Sequence, residues 1–360
     1  MSRIRTATNI VNRNVSEAGT SISIPICTTF ITTISYIPGV VCLAKSLHLY
    51  TKHMVKQSPV VLVVYTNEHV KVELEKNKAI SKLIQIKLLP RAKTETTEIT
   101  QTHNGVGALL HVDSPRRILF KSGKPFIYLD ADLLCVGDPW EAFAETIIML
   151  KRTDFCLAAC PAFRLKKRKY NATNEKGFNA GVIICLGCSE EDNKQIDVEI
   201  EKAMKATLED PENATTEERI LSDVFKNRYL PLEPKFNLIK RVFKYNPILW
   251  KDIVMKRNAL FVHYMGAKPW HKSIDEKKKC DWDYDGYDVL ENFWKLVYND
   301  TFSTPTELTT PFKKLANPYL ASIENDEELK KLCSTGCNIL KIDKQDEEVD
   351  ETGVAVRTYE

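Results

Sequence analysis

Apolar runs and amphipathic stretches alternate along most of the chain, and this alternation predicts strands that are each followed by a helix. The β-branched run CTTFITT at residues 27–33 suits a buried strand, and Pro38-Gly39 opens an amphipathic helix after it. PVVLVVYT at residues 59–66 is apolar on both faces, as a central parallel strand must be. Further short apolar strands are predicted at residues 83–89, 125–129 and 181–186. The pattern favours an α/β fold with a single Rossmann-like mixed sheet flanked by helices.

The two ends of the chain lack this periodicity. Residues 1–22 are polar and residues 338–360 are acidic, so we expect both to be disordered tails. Between them, residues 23–300 are predicted to form the main domain, and residues 301–337 a C-terminal helical extension.

Composition and charge exclude several classes of protein. The 360 residues are 43% hydrophobic and 28% charged, which is typical of an ordinary globular protein. The 51 Lys and Arg residues against 48 Asp and Glu give a net charge of +3, so the strong positive field of a nucleic-acid-binding protein is absent. The N-terminus has no apolar signal region and no stretch suits a membrane span. These features favour a cytoplasmic location.

Ten cysteines are spread along the chain without the spacing of a disulfide framework. Cys185 and Cys188 form a lone CxxC motif, which is compatible with a zinc or redox site. Because no second pair follows at metal-ligand spacing, reduced and mostly buried thiols are the favoured interpretation.

The strongest chemical signal is the pair Asp130 and Asp132, which directly follows the apolar strand FIYL. In an extended chain, residues two apart point to the same side. Two carboxylates at the carboxyl end of a strand in an open α/β sheet lie where such folds bind ligands, and a cation between them relieves their repulsion. A divalent metal site is the chemical interpretation, and a solvated loop is the structural alternative.

A second signal is the segment LFVHYMGAKPW, a short apolar strand that ends at His263. His263 offers a nitrogen ligand to a metal, Gly266 lets the backbone approach a phosphate, and Lys268 supplies a positive charge for it. Two carboxylates with one imidazole suit Mn²⁺ better than Mg²⁺, which stays an alternative. The chain has no Walker A motif and no complete dinucleotide fingerprint.

Several motifs in order resemble the retaining glycosyltransferases of family eight, which include glycogenins and galactinol synthases. The resemblance spans roughly residues 25–300, and the motifs are TTFITTISYIPGVVCLAKSL, FIYLDADLLCVGDPWEAF, FNAGVIIC, FNL and HYMGAKPW. It implies a GT-A fold for residues 23–300, a metal at the D-x-D motif and a UDP-hexose donor. It also implies that the metal ligands, with Mn²⁺ as the metal, are Asp130, Asp132 and His263.

The resemblance assigns further residues to the donor. Lys268 and Gly266 match the diphosphate contacts, and Ala131 lies between the two aspartates. The segment that holds uracil and ribose matches Thr29, Thr32 and Tyr36. The segment that contacts the donor sugar matches Asn179, Ala180 and Gly181.

One position departs from the family pattern. Where the family often has an Asp-Gln pair near the sugar, this chain has Glu217 and Glu218. A carboxylate cannot donate the hydrogen bond that an amide can, so the sugar preference or the geometry of attack is expected to differ. An acidic pair that favours a helix start is the structural alternative. With Lys268, the two glutamates are the candidate catalytic residues.

The acceptor stays open at this point. A retaining hexosyltransferase that transfers glucose or galactose to a hydroxyl acceptor, such as the polyol inositol or a glycan, is the favoured function. A self-glucosylating glycogenin-like primer and a nucleotide-sugar-binding protein without turnover are the alternatives. No nucleic-acid partner is expected, and a homodimer stays open.

Overall fold

The fold is described from a computed structural model of the chain. It describes residues 10–13, 22–51, 60–89, 119–164, 169–170, 177–209, 217–226, 228–271, 277, 286–299 and 302–316. The acidic tail predicted at residues 338–360 lies outside the described residues.

Strands and helices are numbered here in chain order. The strands are β1 (Ile10–Arg13), β2 (Ile22–Pro25), β3 (Cys27–Phe30), β4 (Leu62–Thr66), β5 (Ile84–Leu88), β6 (Phe126–Leu129), β7 (Leu133–Cys135), β8 (Leu157–Pro161), β9 (Phe163–Arg164), β10 (Lys169–Tyr170), β11 (Phe178–Cys185), β12 (Leu230–Pro231), β13 (Leu238–Ile239) and β14 (Phe261–His263). The α-helices are α1 (Ile37–Thr51), α2 (Glu68–Lys76), α3 (Trp140–Lys151), α4 (Glu190–Glu209), α5 (Glu217–Val224), α6 (Lys240–Tyr245), α7 (Pro247–Met255), α8 (Asp288–Tyr298) and α9 (Pro305–Lys314).

A mixed sheet of seven strands forms the centre of the fold, in the order β12-β8-β11-β6-β3-β4-β5. Strands β6, β3, β4 and β5 run parallel, whereas β11 is antiparallel to both β6 and β8. The carboxyl ends of the parallel strands therefore meet at one edge, which is where open α/β sheets bind ligands.

A second sheet has three strands in the order β13-β14-β7. Strand β14 runs antiparallel to β7, with Phe261 opposite Cys135 and His263 opposite Leu133. Because three residues separate the end of β6 from the start of β7, this pairing brings the end of β14 to the D-x-D turn at the edge of the large sheet.

The large sheet separates two hydrophobic cores. In β6, Ile127 and Leu129 belong to one core, whereas Phe126 and Tyr128 belong to the other. This alternation is the two-residue period of a strand that is buried on both faces. Burial on both faces explains why the apolar runs in the sequence are continuous.

Some boundaries differ from those that the sequence predicts. The strand predicted from residue 181 begins earlier, at Phe178, because Phe178 and Asn179 also pair with β8. Within the predicted N-terminal tail, Ile10–Arg13 forms a strand antiparallel to β2, with the β-branched pair Ile10 and Val11 opposite Pro25 and Ile24. Helix α9 lies in the predicted C-terminal extension. Among the described residues, no helix combines the length and apolar character needed to cross a membrane.

Candidate active site

The two sheets bring the three candidate metal ligands together. Asp130 follows β6, and its backbone N–H donates to the carbonyl oxygen of Gly181 at 2.8 Å. Asp132 precedes β7, and its carbonyl oxygen accepts from the N–H of Tyr264 at 3.0 Å. His263 ends β14 beside it. Backbone hydrogen bonds from both sheets therefore fix the positions of the backbone that carries these three side chains.

The three side chains offer a compact set of ligand atoms. Nε2 of His263 lies 3.2 Å from Oδ1 of Asp132 and 3.6 Å from Oδ2 of Asp130. One ligand atom from each residue lies within 4.8 Å of the other two. The hydroxyl of Tyr128 donates to Oδ1 of Asp130 at 2.7 Å and orients that carboxylate. Two carboxylate oxygens and an imidazole nitrogen fit a divalent cation such as Mn²⁺.

A chain of buried amides determines which nitrogen of His263 faces the carboxylates. Oε2 of Glu218 accepts hydrogen bonds from Nδ2 of Asn179 at 2.9 Å and from the N–H of Ala180 at 3.1 Å. Because the amide nitrogen of Asn179 donates, its oxygen accepts from Nδ2 of Asn237. The amide oxygen of Asn237 then lies 2.9 Å from Nδ1 of His263 and accepts its proton. Nε2 is left with the lone pair that a metal ligand needs.

Gly181 makes room for the imidazole ring. A Cβ atom built on Gly181 would lie 2.5 Å from Cε1 and 2.6 Å from Nδ1 of His263. No side chain can occupy that space while the ring stays in place. The glycine of the FNAG motif is thus required by the close approach of β11 to His263.

Lys268 lies directly against the candidate metal ligands, because its ammonium group forms an ion pair with Oδ2 of Asp132. Burial alone would raise the pKa of the Asp132 carboxyl, but the neighbouring positive charge of Lys268 holds that pKa well below its usual range. Burial alone would lower the pKa of Lys268, but the Asp132 carboxylate raises it above its ordinary value. Both groups stay charged at neutral pH. Gly266 has a φ of 73°, the left-handed conformation that turns the chain between His263 and Lys268.

Aromatic rings form one wall beside Lys268. The ring centroid of Tyr36 lies 5.5 Å from the ammonium nitrogen of Lys268 and 5.8 Å from the ring of Trp270. Gly39 lets helix α1 approach this wall, because a Cβ there would lie 2.4 Å from the carbonyl oxygen of Ala131 and 2.7 Å from Trp270. The predicted nucleotide-contacting segment therefore lies next to the D-x-D turn.

Two threonines predicted to contact the nucleotide lie in different surroundings. Thr29 is buried in β3, and its hydroxyl has no hydrogen-bond partner among the described residues. Thr32 is exposed after β3, and its carbonyl oxygen accepts from Nδ2 of Asn67 at 2.7 Å. A buried hydroxyl without a partner is costly unless a ligand or water satisfies it.

The glutamates that replace the family's Asp-Gln pair open helix α5. Glu217 is the first residue of that helix, and its side chain lies outside what the structure describes. The carboxylate of Glu218 holds Asn179 and Ala180, so it contacts the predicted sugar-binding segment directly. The structure thus joins Glu218 to His263 through two asparagines.

Sequence reasoning assigned no role to Asn237 or Tyr128. Asn237 is fully buried and bridges His263 and Asn179. It lies in the FNL motif, where a single asparagine stands between two apolar residues. That pattern is the sequence feature that could have indicated a buried polar contact. Tyr128 lies two residues before Asp130 in β6, and the period of a strand puts both side chains on one face.

One known protein family matches the part of the sequence that forms this site. Residues 27–273 match the family model described as glycosyl transferase family 8. A search of curated proteins found no match. The apo-form glycosyltransferase GlyE of Streptococcus pneumoniae TIGR4 is 20% identical over 76% of this chain, with a TM-score of 0.42. This chain covers 62% of the GlyE chain, which is less than two thirds of its length.

Two other solved structures are similar over much of their length. The galactosyltransferase LgtC, in complex with donor and acceptor sugar analogs, is 16% identical over 78% of this chain and 98% of its own, with a TM-score of 0.46. Mouse xyloside xylosyltransferase 1 is 12% identical over 66% of this chain and 96% of its own, with a TM-score of 0.43.

The family match carries the conclusion. It covers more than half of the chain and contains every candidate site residue named above. The predicted fold class, a mixed α/β sheet of GT-A type flanked by helices, is confirmed. The chain belongs to glycosyltransferase family 8.

Proposed function

We propose that this chain is a retaining, Mn²⁺-dependent hexosyltransferase that moves glucose or galactose from a UDP-sugar to a hydroxyl acceptor. The acceptor class that we propose is a polyol or a glycan. The observation that carries the proposal is the convergence of Asp130, Asp132 and His263, whose ligand atoms lie within 4.8 Å of one another beside a buried lysine. Family membership supports the class of reaction.

The residues present fit the metal that the family implies. Nε2 of His263 carries the lone pair that a metal ligand needs, and the carboxyl of Asp132 stays ionised because Lys268 holds its pKa low. Asp130, Asp132 and His263 would hold the ion. A divalent cation bound there neutralises charge on the diphosphate of the donor as the nucleoside diphosphate leaves.

Lys268 supplies a positive charge at the site that belongs to the protein rather than to a bound metal. Its ammonium group is buried and stays protonated, because Asp132 raises its pKa. We infer that Lys268 exchanges part of its contact with Asp132 for a phosphate oxygen of the donor. A charge held in place before the reaction stabilises the departing diphosphate without reorganisation, which is the largest effect expected at this site.

The donor is proposed to lie along the wall made by Tyr36 and the segment around it. Tyr36 would offer a ring face to the uracil base, and the partnerless hydroxyl of Thr29 and the exposed Thr32 would offer hydrogen bonds to the nucleoside. Asn179, Ala180 and Gly181 would border the sugar. Gly266 lets the backbone approach the diphosphate.

Glu218 is proposed to act as a positioning residue. Its Oε2 atom already accepts two hydrogen bonds, from Asn179 and Ala180, which holds the sugar-binding segment in place. Together with the N–H of Gly181, it would favour, through Asn179 and Asn237, a proton on Nδ1 of His263. Glu217, the first residue of α5, is proposed as a further residue of the sugar site, as the family resemblance implies.

The test combines two readouts in one tube. The full chain is incubated with Mn²⁺ and UDP-glucose or UDP-galactose, with and without a panel of polyols and glycans, and both released UDP and intact mass are measured. We expect UDP release that depends on Mn²⁺ and increases with an acceptor. Asp132→Asn should abolish it. Asp223→Asn, the same change at an exposed surface ion pair, should leave it unchanged.

The outcomes separate the alternatives. A ladder of hexoses added to the protein itself would replace the acceptor class by self-glycosylation. Binding of UDP-sugar without any UDP release, by a protein that is folded and loaded with Mn²⁺, would overturn the proposed reaction.

A further inference from the structure

Three cysteine sulfurs meet at the opposite end of the central sheet from the candidate active site. Cys156 directly precedes β8, Cys185 ends β11, and Cys188 precedes helix α4. Cys185 is opposite Phe126 at the start of β6, whereas Asp130 follows the end of that strand. The sulfur of Cys188 lies 3.8 Å from the sulfur of Cys156 and 3.8 Å from that of Cys185.

These separations match a metal–thiolate site. Zn–S bonds of about 2.3 Å at tetrahedral angles put neighbouring sulfurs about 3.8 Å apart. A disulfide would need sulfurs about 2.05 Å apart. Cys156 and Cys188 have the spacing of two ligands of one ion, and Cys185, which lies 3.8 Å from Cys188, would move toward that ion to become a third thiolate ligand.

The loop between Cys185 and Cys188 is built to present both sulfurs. Gly187 has a φ of 113°, and its N–H donates to the sulfur of Cys185 at 3.3 Å. A Cβ on Gly187 would lie 2.3 Å from the carbonyl oxygen of Gly123, so only glycine fits there. This hydrogen bond holds the sulfur of Cys185 in place.

A fourth ligand is available at the start of α4. A carboxylate oxygen of Asp192 lies within 4.8 Å of the sulfurs of Cys156 and Cys188. Asp192 accepts hydrogen bonds from the hydroxyl of Ser189 at 2.8 Å and from Arg228 at 2.7 Å. Partners of this kind orient metal ligands. The N-terminus of α4 also favours negative charge close to Cys188.

We propose that Cys156, Cys185, Cys188 and Asp192 form a zinc site that is separate from the nucleotide-sugar site. Three thiolates select zinc over the harder Mn²⁺ expected at Asp130, Asp132 and His263. Cys156 is partly exposed, which gives the ion a route of entry. The ion would tie β8, β11 and α4 together at the end of the strand that carries the sugar-binding segment. The role is structural, and the chain loses the protons of its thiols when the metal binds.

The test uses Co²⁺ as a spectroscopic substitute for zinc in the reduced full chain. We expect one Co²⁺ per chain with a thiolate-to-cobalt charge-transfer band, lost on addition of zinc, and zinc in protein purified without added metal. The candidate active site contains no sulfur ligand, so Asp132→Asn must keep the band. This separates failure of the zinc proposal from failure of the proposed reaction.

Variants show which residues produce the charge-transfer band. Cys188→Ala should abolish it, whereas Cys160→Ala, which removes a buried thiol from β8 outside the cluster, should keep it. Arg228→Gln retains every ligand and should weaken Co²⁺ binding about 10- to 100-fold, because a partner of Asp192 is lost. Zinc should raise the Tm of the wild type and of Cys160→Ala. Absence of the band from folded, reduced wild type, or its persistence in Cys188→Ala, would overturn the site.

Discussion

The amide oxygen of Asn237 lies 2.9 Å from Nδ1 of His263, and this contact determines the chemistry of the opposite ring nitrogen. Its direction is set at the far end of the hydrogen-bond chain, where Glu218 accepts from Nδ2 of Asn179 and the N–H of Gly181 donates to Oδ1 of Asn179 at 3.0 Å. A carboxylate accepts only, so each amide between it and the imidazole has one possible orientation. Glu218 and the backbone of Gly181 therefore act together on the tautomer of a candidate metal ligand.

Replacing Asn237 by Ala should weaken the metal site. The substitution removes the partner of Nδ1 of His263 and leaves Oδ1 of Asn179 with only the N–H of Gly181 as a donor. We expect the Mn²⁺ concentration needed for half-maximal UDP release to rise about 10- to 100-fold, the usual effect of removing a residue that orients a metal ligand. Titration of UDP release with Mn²⁺ measures the change. An unchanged Mn²⁺ requirement in a folded variant would show that the contact does not position His263.

Glu218 allows a test of positioning against proton transfer. Glu218→Gln keeps an oxygen that accepts from Asn179 and Ala180, so UDP release should stay within a few-fold of wild type. Glu218→Leu removes the acceptor and should lower release by about tenfold or more, since two buried donors are left unpaired. Rates and pH profiles of both variants are compared. Loss of activity in Glu218→Gln equal to that in Glu218→Leu would mean that the charge of Glu218 is needed.

Gly181→Ala should displace the imidazole ring. The added carbon would lie 2.5 Å from Cε1 of His263, a separation that atoms do not tolerate. We expect loss of Mn²⁺-dependent UDP release in a protein that retains its fold. Ala180→Gly changes the neighbouring residue by the reverse substitution and should retain most of the activity. Mn²⁺ binding, followed by the paramagnetic signal of the free ion, distinguishes lost metal affinity from a general loss of stability.

Lys268→Met should separate catalysis from metal binding. The ammonium group pairs with Asp132, so its removal leaves that carboxylate free for the metal. We expect kcat to fall about 10²- to 10³-fold, which is the usual cost of removing one group that stabilises developing charge. Mn²⁺ affinity should be equal to or higher than in wild type. A lower Mn²⁺ affinity with unchanged kcat would contradict the role proposed for Lys268 at the diphosphate.

Candidate site residues can be proposed from local sequence patterns, whereas their contacts cannot. Asp130, Asp132 and His263 each follow or precede a short apolar strand, and such positions can be recognised from local pattern alone. That β14 lies antiparallel to β7 is a long-range pairing, which local periodicity does not encode. Asn237 was missed for the same reason, because its partners come from β11 and β14. Cys156 likewise joins the CxxC pair only through the pairing of β8 with β11.

The buried ion pair between Glu291 and Lys277 predicts how the stability of the fold depends on pH. Glu291 in α8 is 2% exposed and pairs with the ammonium group of Lys277. Burial raises the pKa of Glu291, while Lys277 opposes that shift, with Lys240 and Lys295 adding positive charge nearby. Because the pKa is above its unfolded value, near 4.5, the carboxyl favours folding most at low pH. That contribution is lost as the pH rises through the folded pKa.

Lys277→Met should make the free energy of unfolding depend more steeply on pH. Without the opposing ammonium charge, the pKa of Glu291 rises further, and a buried carboxylate must ionise alone at neutral pH. We expect the free energy of unfolding to fall by about 3–5 kcal/mol relative to wild type at neutral pH, and by much less near the acid end where Glu291 is protonated. Denaturant unfolding across the acid-to-neutral range measures the slope. Adding Glu291→Gln removes the titrating group and should abolish the extra slope, whereas a slope that persists in the double variant would assign it to another group.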